Sequence, residues 1–306
     1  MTQRISPEQS KGTGGGTCFF LLNLATQIVV VSLLAACSMG QMVVRGSQSI
    51  MDSGIDAMNQ ETDPELAREA SPANLKMLEG LILEDPENAT LRLYAAQGFH
   101  GYAFGFVEQD DPQRAAGLYR RCYEHALVAL KKTGFSVDPE TADVTSLEAA
   151  VQDVDTNGVP ALFWTASCQA KRVDMNRNDP ASLSQLSSAA ILMRRVLELD
   201  ETYFHGGAQM FFGVYYGGRS PMFGGNFELA AEHFQRANDI NEGKLLTVDV
   251  LYAEFLARQR FDQEAFHNRL TRVIEAPDDL YPEMALANIL AKQRAEYLLS
   301  MEDDWF

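Results

Sequence analysis

The chain has 306 residues, 46% of them hydrophobic and 22% charged, enough to bury a sizeable core and too apolar for a disordered chain. Its 25 Lys and Arg stand against 42 Asp and Glu, a net charge of −17, which is the wrong sign for gripping a nucleic-acid backbone by counterion release. The same field repels anionic lipid headgroups, so membrane attachment requires an apolar segment or a covalent lipid.

The N-terminus holds both. Residues 18–37 are an apolar run preceded by Arg4, Lys11 and a cluster of glycines. The run ends in Leu34-Ala35-Ala36-Cys37, which resembles the lipobox of bacterial lipoproteins, where small residues suit the signal peptidase and the thiol takes the diacylglycerol. Residues 1–36 are therefore expected to be a lipoprotein signal peptide and Cys37 the site of lipidation. The alternative is an uncleaved anchor; either one tethers the remainder outside the cytoplasm. Removal of Arg4, Lys11 and Glu8 with the signal leaves a charge of −18. Ser38, by resemblance to lipoprotein sorting rules, directs the protein to the inner leaflet of the outer membrane.

Residues 37–63 form a lipidated N-terminal segment, with a helix expected near Gln41 to Met58 and a hinge at Glu61-Thr62-Asp63-Pro64. Beyond about residue 41 the apolar spacing is 3 and 4 almost throughout, which predicts an all-α protein with a helical-repeat domain over 64–306. Helix pairs are expected at 89–107 and 112–132, 160–176 and 181–199, 203–216 and 227–240, and 244–260 and 262–275, with a last helix from Pro282. Between the first two pairs, one short helix is expected near 144–151.

The second helices share a pattern. Ala115, Tyr119 and Cys122 recur in spacing as Ala189, Met193 and Val196, as Ala230, Phe234 and Ala237, and as Phe266, Leu270 and Val273. This reads as a helical solenoid of about four cryptic tetratricopeptide-like pairs with flanking helices, an ordinary amphipathic helix bundle being the alternative. Cys122 and Cys168 sit inside apolar helical patterns and read as two buried free thiols, a bridge being the alternative.

Catalytic and metal chemistry leave no trace in the sequence. None of His100, His125, His205, His233 and His267 pairs with another histidine or a cysteine at ligand spacing, and there is no nucleophile elbow or nucleotide-binding glycine fingerprint. Glu124-His125 and Glu232-His233 read as solvated or capping residues, and Asp110-Asp111, Asp278-Asp279 and Asp303-Asp304 as helix-edge carboxylates. No enzyme, cofactor or metal is expected.

The aromatics say more. Phe211, Phe212, Tyr215 and Tyr216 make two i, i+4 pairs on one helix, wider than a single packing seam needs. The loop from Gly217 to Gly225 follows, with Arg219 beside Met222 and Phe223. These seven residues are the candidate wall and mouth of an apolar ligand cavity, with Arg219 as an entrance cation, the alternative being ordinary core packing of the aromatics and a loop that merely connects.

The stretch from Tyr215 through the Gly-Gly turn to Ala237, with its helix of the Ala-x-x-x-Phe-x-x-Ala type, resembles the T component of tripartite ATP-independent periplasmic (TRAP) transporters, the TatT family. The resemblance extends over about Asn74 to Leu299 and includes the lipobox. It implies a periplasm-facing lipoprotein that forms a homotrimer with a passage through each protomer. It also implies association with the periplasmic solute-binding protein, the P component, and movement of a small hydrophobic or amphiphilic ligand. The alternative is a tetratricopeptide-like lipoprotein scaffold for envelope or secretion-complex assembly.

Overall fold

The computed structural model describes Met1 and residues 40–42, 44–176 and 180–306, the side chains of 180–184 excepted. The proposed signal segment, Cys37 and the expected break at Asn178-Asp179 lie outside the described residues. The chain divides into Met1–Ser49 and one compact unit, Ile50–Phe306.

Among the described residues there is no strand. Helix α1 is Gln48–Asn59, followed by α2 (Pro64–Glu84), α3 (Ala89–Phe106), α4 (Pro112–Lys131) and α5 (Val144–Gln152). Then come α6 (Val159–Met175), α7 (Pro180–Asp200), α8 (Tyr203–Gly217) and α9 (Phe227–Ile240). Helix α10 (Thr247–Tyr252) runs on through a π-helical turn, Ala253–Ala257, and is followed by α11 (Gln263–Glu275), α12 (Ala285–Ser300) and a last turn, α13 (Glu302–Trp305). The starts are written in the sequence. Asp63, Asn88, Asp111, Asp143, Asn226 and Asp262 each accept a bond from a first-turn amide, satisfying an otherwise orphaned donor.

Helix α2 is the main addition to the expected elements. Its first residues were expected to form a hinge, but Asp63 caps a 21-residue helix whose only buried positions are Ala67, Leu75 and Ile82. So few core residues, with Pro72 inside the helix, give almost no periodic signal.

The solenoid is built as the repeat pattern requires. Helices pack in succession, α3 on α4, α4 on α6, α6 on α7, α7 on α8, α8 on α9 and α11 on α12. All twelve residues of the recurring pattern on α4, α7, α9 and α11 are 0% exposed, so each second helix presents the same buried stripe to its neighbours. Gly213 of α8 lets that helix close on α9, since a Cβ there would lie 2.7 Å from the Phe234 ring. Helix α12 returns to the beginning of the unit and packs beside α2, and its Leu290 fills the space over Gly105 of α3.

One expectation about the cysteines is corrected. Cys122 on α4 and Cys168 on α6 are bonded as a disulfide, with Cα atoms 5.8 Å apart. Both lie on the buried stripes through which α4 and α6 touch, which is why each reads in isolation as an ordinary core thiol.

Candidate ligand site

Helix α8 opens with an unusual backbone. Phe204 (φ 50°, ψ 51°), His205 (φ 58°, ψ 33°) and Gly206 (φ 80°, ψ 29°) form a short left-handed turn before the right-handed helix resumes. Glycine takes this conformation freely, but an L-residue with a side chain loses about 1–2 kcal/mol there. Neighbouring helices hold the turn in place. Phe204 packs edge-on against Trp164 of α6 at 4.9 Å between centroids and tilts against Phe163 at 5.4 Å. Gly206 lies on Ala237 and Ile240 of α9, and Gly207 is pressed onto the Phe163 ring.

This turn aims Phe204 and His205 into a pocket of about 520 Å³ whose other walls are Thr202, Arg236, Ile240, Asn241 and Tyr281. The His205 Nδ1 lies 3.0 Å from the Tyr281 hydroxyl, and the two rings meet at 88°. Burial lowers the His205 pKa, so the ring is neutral at pH 7 and each nitrogen is a donor or an acceptor according to tautomer. Asn241 is spent on the backbone, bonding Ala237 O and the Leu245 amide. Arg236 is exposed and forked onto Glu201, whose other partner is Gln209. The Arg236 bonds and charge hold the Glu201 carboxyl below its usual range.

From the pocket an aromatic series leads back across the unit. It runs from Tyr281 to His205, Phe204, Trp164 and His100, with successive centroids 4.9–5.9 Å apart. Phe163 and Tyr203 flank it. His100 ends the series beside a buried ionic cluster in which Lys171 bonds Glu108 and Asp174, and Tyr119 donates to Glu108. Burial by itself would depress the Lys171 pKa, but the two carboxylates outweigh it and the ammonium is stabilised.

His100, deprived of water and close to the Lys171 charge, has its pKa lowered to about 3, and burial together with Arg92 lowers that of His125 to about 4. In the unfolded chain both return to about 6.5. Their contribution to stability is thus complete above pH 6.5 and is lost as pH falls from there towards 3–4, with a slope approaching about 1.4 kcal/mol per pH unit for each. Denaturation midpoints measured from pH 7.5 to 4.5 should fall with pH, and His100→Phe should flatten the slope. A flat profile in the unmodified protein would refute the assignment.

The residues singled out in the sequence cluster at the other end of α8. Phe211, Phe212, Tyr215 and Tyr216 form a continuous ring stack. Of these, Phe212 is buried at 2% exposure, and the other three are half-buried. His233 completes the stack, lying nearly parallel to Tyr216 and Phe212 and bonding the Gln209 side chain at 2.6 Å. His125 likewise stacks on Phe99 and meets Arg92. The reading of these two histidines as solvated or capping residues is corrected, because adjacent aromatics on the partner helices draw the imidazoles inward. The Arg219 guanidinium lies 3.8 Å from the Tyr215 ring centre while its Nε bonds Tyr215 O. Met222 and Phe223, on a 3-10 turn at Pro221–Phe223, are 87% and 74% exposed. None of these seven lines the pocket at His205. The pocket itself went unread, although Tyr203-Phe204-His205-Gly206-Gly207 carries a faint mark of it. A Gly-Gly pair just after aromatics inside a helical run signals a backbone departure.

The fold and pocket define a helical-repeat protein with an open cleft walled by Phe204, His205 and Tyr281 and, among the described residues, no group of three side chains able to hold a metal. Residues 60–306 match the TRAP transporter T-component family, and the chain belongs to it. It is therefore an accessory component of a TRAP transport system. The chain is also similar to an uncharacterized protein of Treponema pallidum (strain Nichols), 23% identical over 263 residues, with 81% of each chain covered. No helix among the described residues is long and apolar enough to cross a membrane.

Proposed function

We propose that this T component is a lipid-anchored, periplasm-facing accessory that binds the solute-binding P component of its transporter and helps move a small hydrophobic or amphiphilic ligand. It has no catalytic role in this reading. The family match over residues 60–306 carries the proposal. The bridge between Cys122 and Cys168 supports an oxidising compartment such as the periplasm, and lipidation at Cys37 supplies the tether. Phe211, Tyr215, Tyr216 and the exposed pair Met222 and Phe223 are the apolar surface on this face, and we assign them, with Arg219, to ligand or partner contact. A homotrimer is the assembly in which the component works.

The test is capture of periplasmic proteins by the full chain in native membranes, with size analysis of the extracted complex. A solute-binding protein is expected to co-purify with a trimer. Met222→Ser with Phe223→Ser should reduce that capture at least tenfold, the loss of about 1.4 kcal/mol or more. Recovery of secretion or cell-wall proteins with no solute-binding protein would replace this reading with that of an assembly scaffold.

A further inference from the structure

The pocket at the start of α8 is built on strained backbone that packing explains only in part. Two consecutive residues with bulky side chains, Phe204 and His205, occupy left-handed backbone where glycine would sit without penalty. Phe204 is justified in part by its contacts with Phe163 and Trp164. His205 has no such core role, since it is half-buried and faces the pocket, and among the described residues its ring meets Tyr281 and, at a tilt, Phe204. A side chain kept at a strained position and spent on lining an open cleft points to a function for that cleft.

The walls state the chemistry of what would fit. Phe204 and His205 incline at 59° and His205 and Tyr281 at 88°, so the three rings form a corner. A flat ring entering it meets one face broadside and another edge-on, the two arrangements that aromatic quadrupoles favour. Ile240 closes the apolar side. On the polar side, Glu201 occupies Nε and Nη2 of Arg236, which fixes the guanidinium and leaves the two Nη1 protons for another acceptor. The pocket's 520 Å³ falls within the usual range for small-molecule sites. We propose that this pocket binds a flat, ring-bearing amphiphile, its ring against Phe204, His205 and Tyr281 and an oxygen acceptor of its head on Arg236 Nη1.

This deepens the transport reading by naming the chemistry of the ligand, and it rests on that reading only for the claim that a ligand is carried. The test uses ligand-observed saturation-transfer NMR on the purified full chain with two probes, 2-naphthoate and decanoate, which share a carboxylate head and differ in having a ring. 2-Naphthoate is expected to bind at least tenfold more tightly than decanoate. His205→Gly is expected to weaken 2-naphthoate at least tenfold while leaving the melting temperature unchanged or raised, because glycine relieves the left-handed backbone. Arg236→Gln, which leaves the strained turn intact, should weaken both probes and preserve the preference for the ring. Decanoate binding as tightly as 2-naphthoate, or 2-naphthoate binding to His205→Gly as it does to the unmodified chain, would overturn the proposal. So would a lower melting temperature for His205→Gly with Arg236→Gln binding both probes normally, since that pattern marks a structural turn. Ring-selective binding without a solute-binding partner would leave the pocket assigned and defeat the transport reading; capture of the partner with no probe bound would do the reverse.

Discussion

Replacing Arg269 and Arg272 together by methionine is expected to destabilise the compact unit by about 3–5 kcal/mol, the penalty for leaving a buried charge without its partners. Both arginines project from α11 at i, i+3 and converge on the Asp249 carboxylate of α10, which is 1% exposed. Arg269 lies in addition over the Tyr252 ring at 4.1 Å, and Arg272 reaches Gly243 O at 3.1 Å. The arginines themselves are partly in water, so removing Asp249 alone should be the milder change: the cations can turn outward, whereas the carboxylate has nowhere to go. Adding Asp249→Leu to the double variant should restore much of the loss, since an apolar group of similar size needs no partner. Urea unfolding of the parent and the three variants decides the matter. A double variant within about 1 kcal/mol of the parent would mean that the site already admits water enough to solvate the carboxylate.

The second large effect concerns the cross-link between α4 and α6. Its cysteines are 46 residues apart in sequence, and closing a loop of that length removes enough freedom from the unfolded chain to stabilise the fold by about 2–4 kcal/mol. Cys122→Ala with Cys168→Ala, two small residues suited to positions that are 0% exposed, should lose that amount in denaturant. Reductant should destabilise the parent and leave the double variant unchanged. Equal melting of parent and double variant under oxidising conditions would show that the packing of α4 on α6 holds the helices without help.

Features of the fold that are local in the chain are legible in the sequence, and those that join distant segments are not. Helix starts were legible where an Asp or Asn cap, often with Pro at the first helical position, precedes a periodic apolar run; Asp111-Pro112 is an instance, whereas the same pair at Asp63-Pro64 reads as a hinge. The repeat was legible because all second helices solve one packing problem with one spacing, so that Ala230, Phe234 and Ala237 repeat the pattern of Ala115, Tyr119 and Cys122. Helix α2 was not, because a helix with three buried residues in 21 carries little periodicity. The pairing of Cys122 with Cys168 was left open, since partnership depends on which helices lie side by side. The pocket escaped for a related reason. Its walls come from three separate stretches, Thr202, Phe204 and His205, then Arg236, Ile240 and Asn241, then Tyr281, and the one local sign, glycines after Phe204-His205, reports a bend in the chain and not what the bend faces. The same limit applied to His233, whose stacking on Phe212 and Tyr216 joins two helices.

The return of α12 to α2 and α3 also bears on how such a chain can change over evolutionary time. An open solenoid can gain or lose a repeat, because each unit touches only its neighbours and the ends are free. Here Leu290 must arrive over Gly105 after a set number of helices, and an inserted or deleted pair would carry α12 past the place where it docks. Duplication, the ordinary route by which repeat proteins lengthen, would here have to preserve that closing contact. Variation is left to the connections, such as the Gly217–Gly225 loop, where length can change without moving the two ends apart.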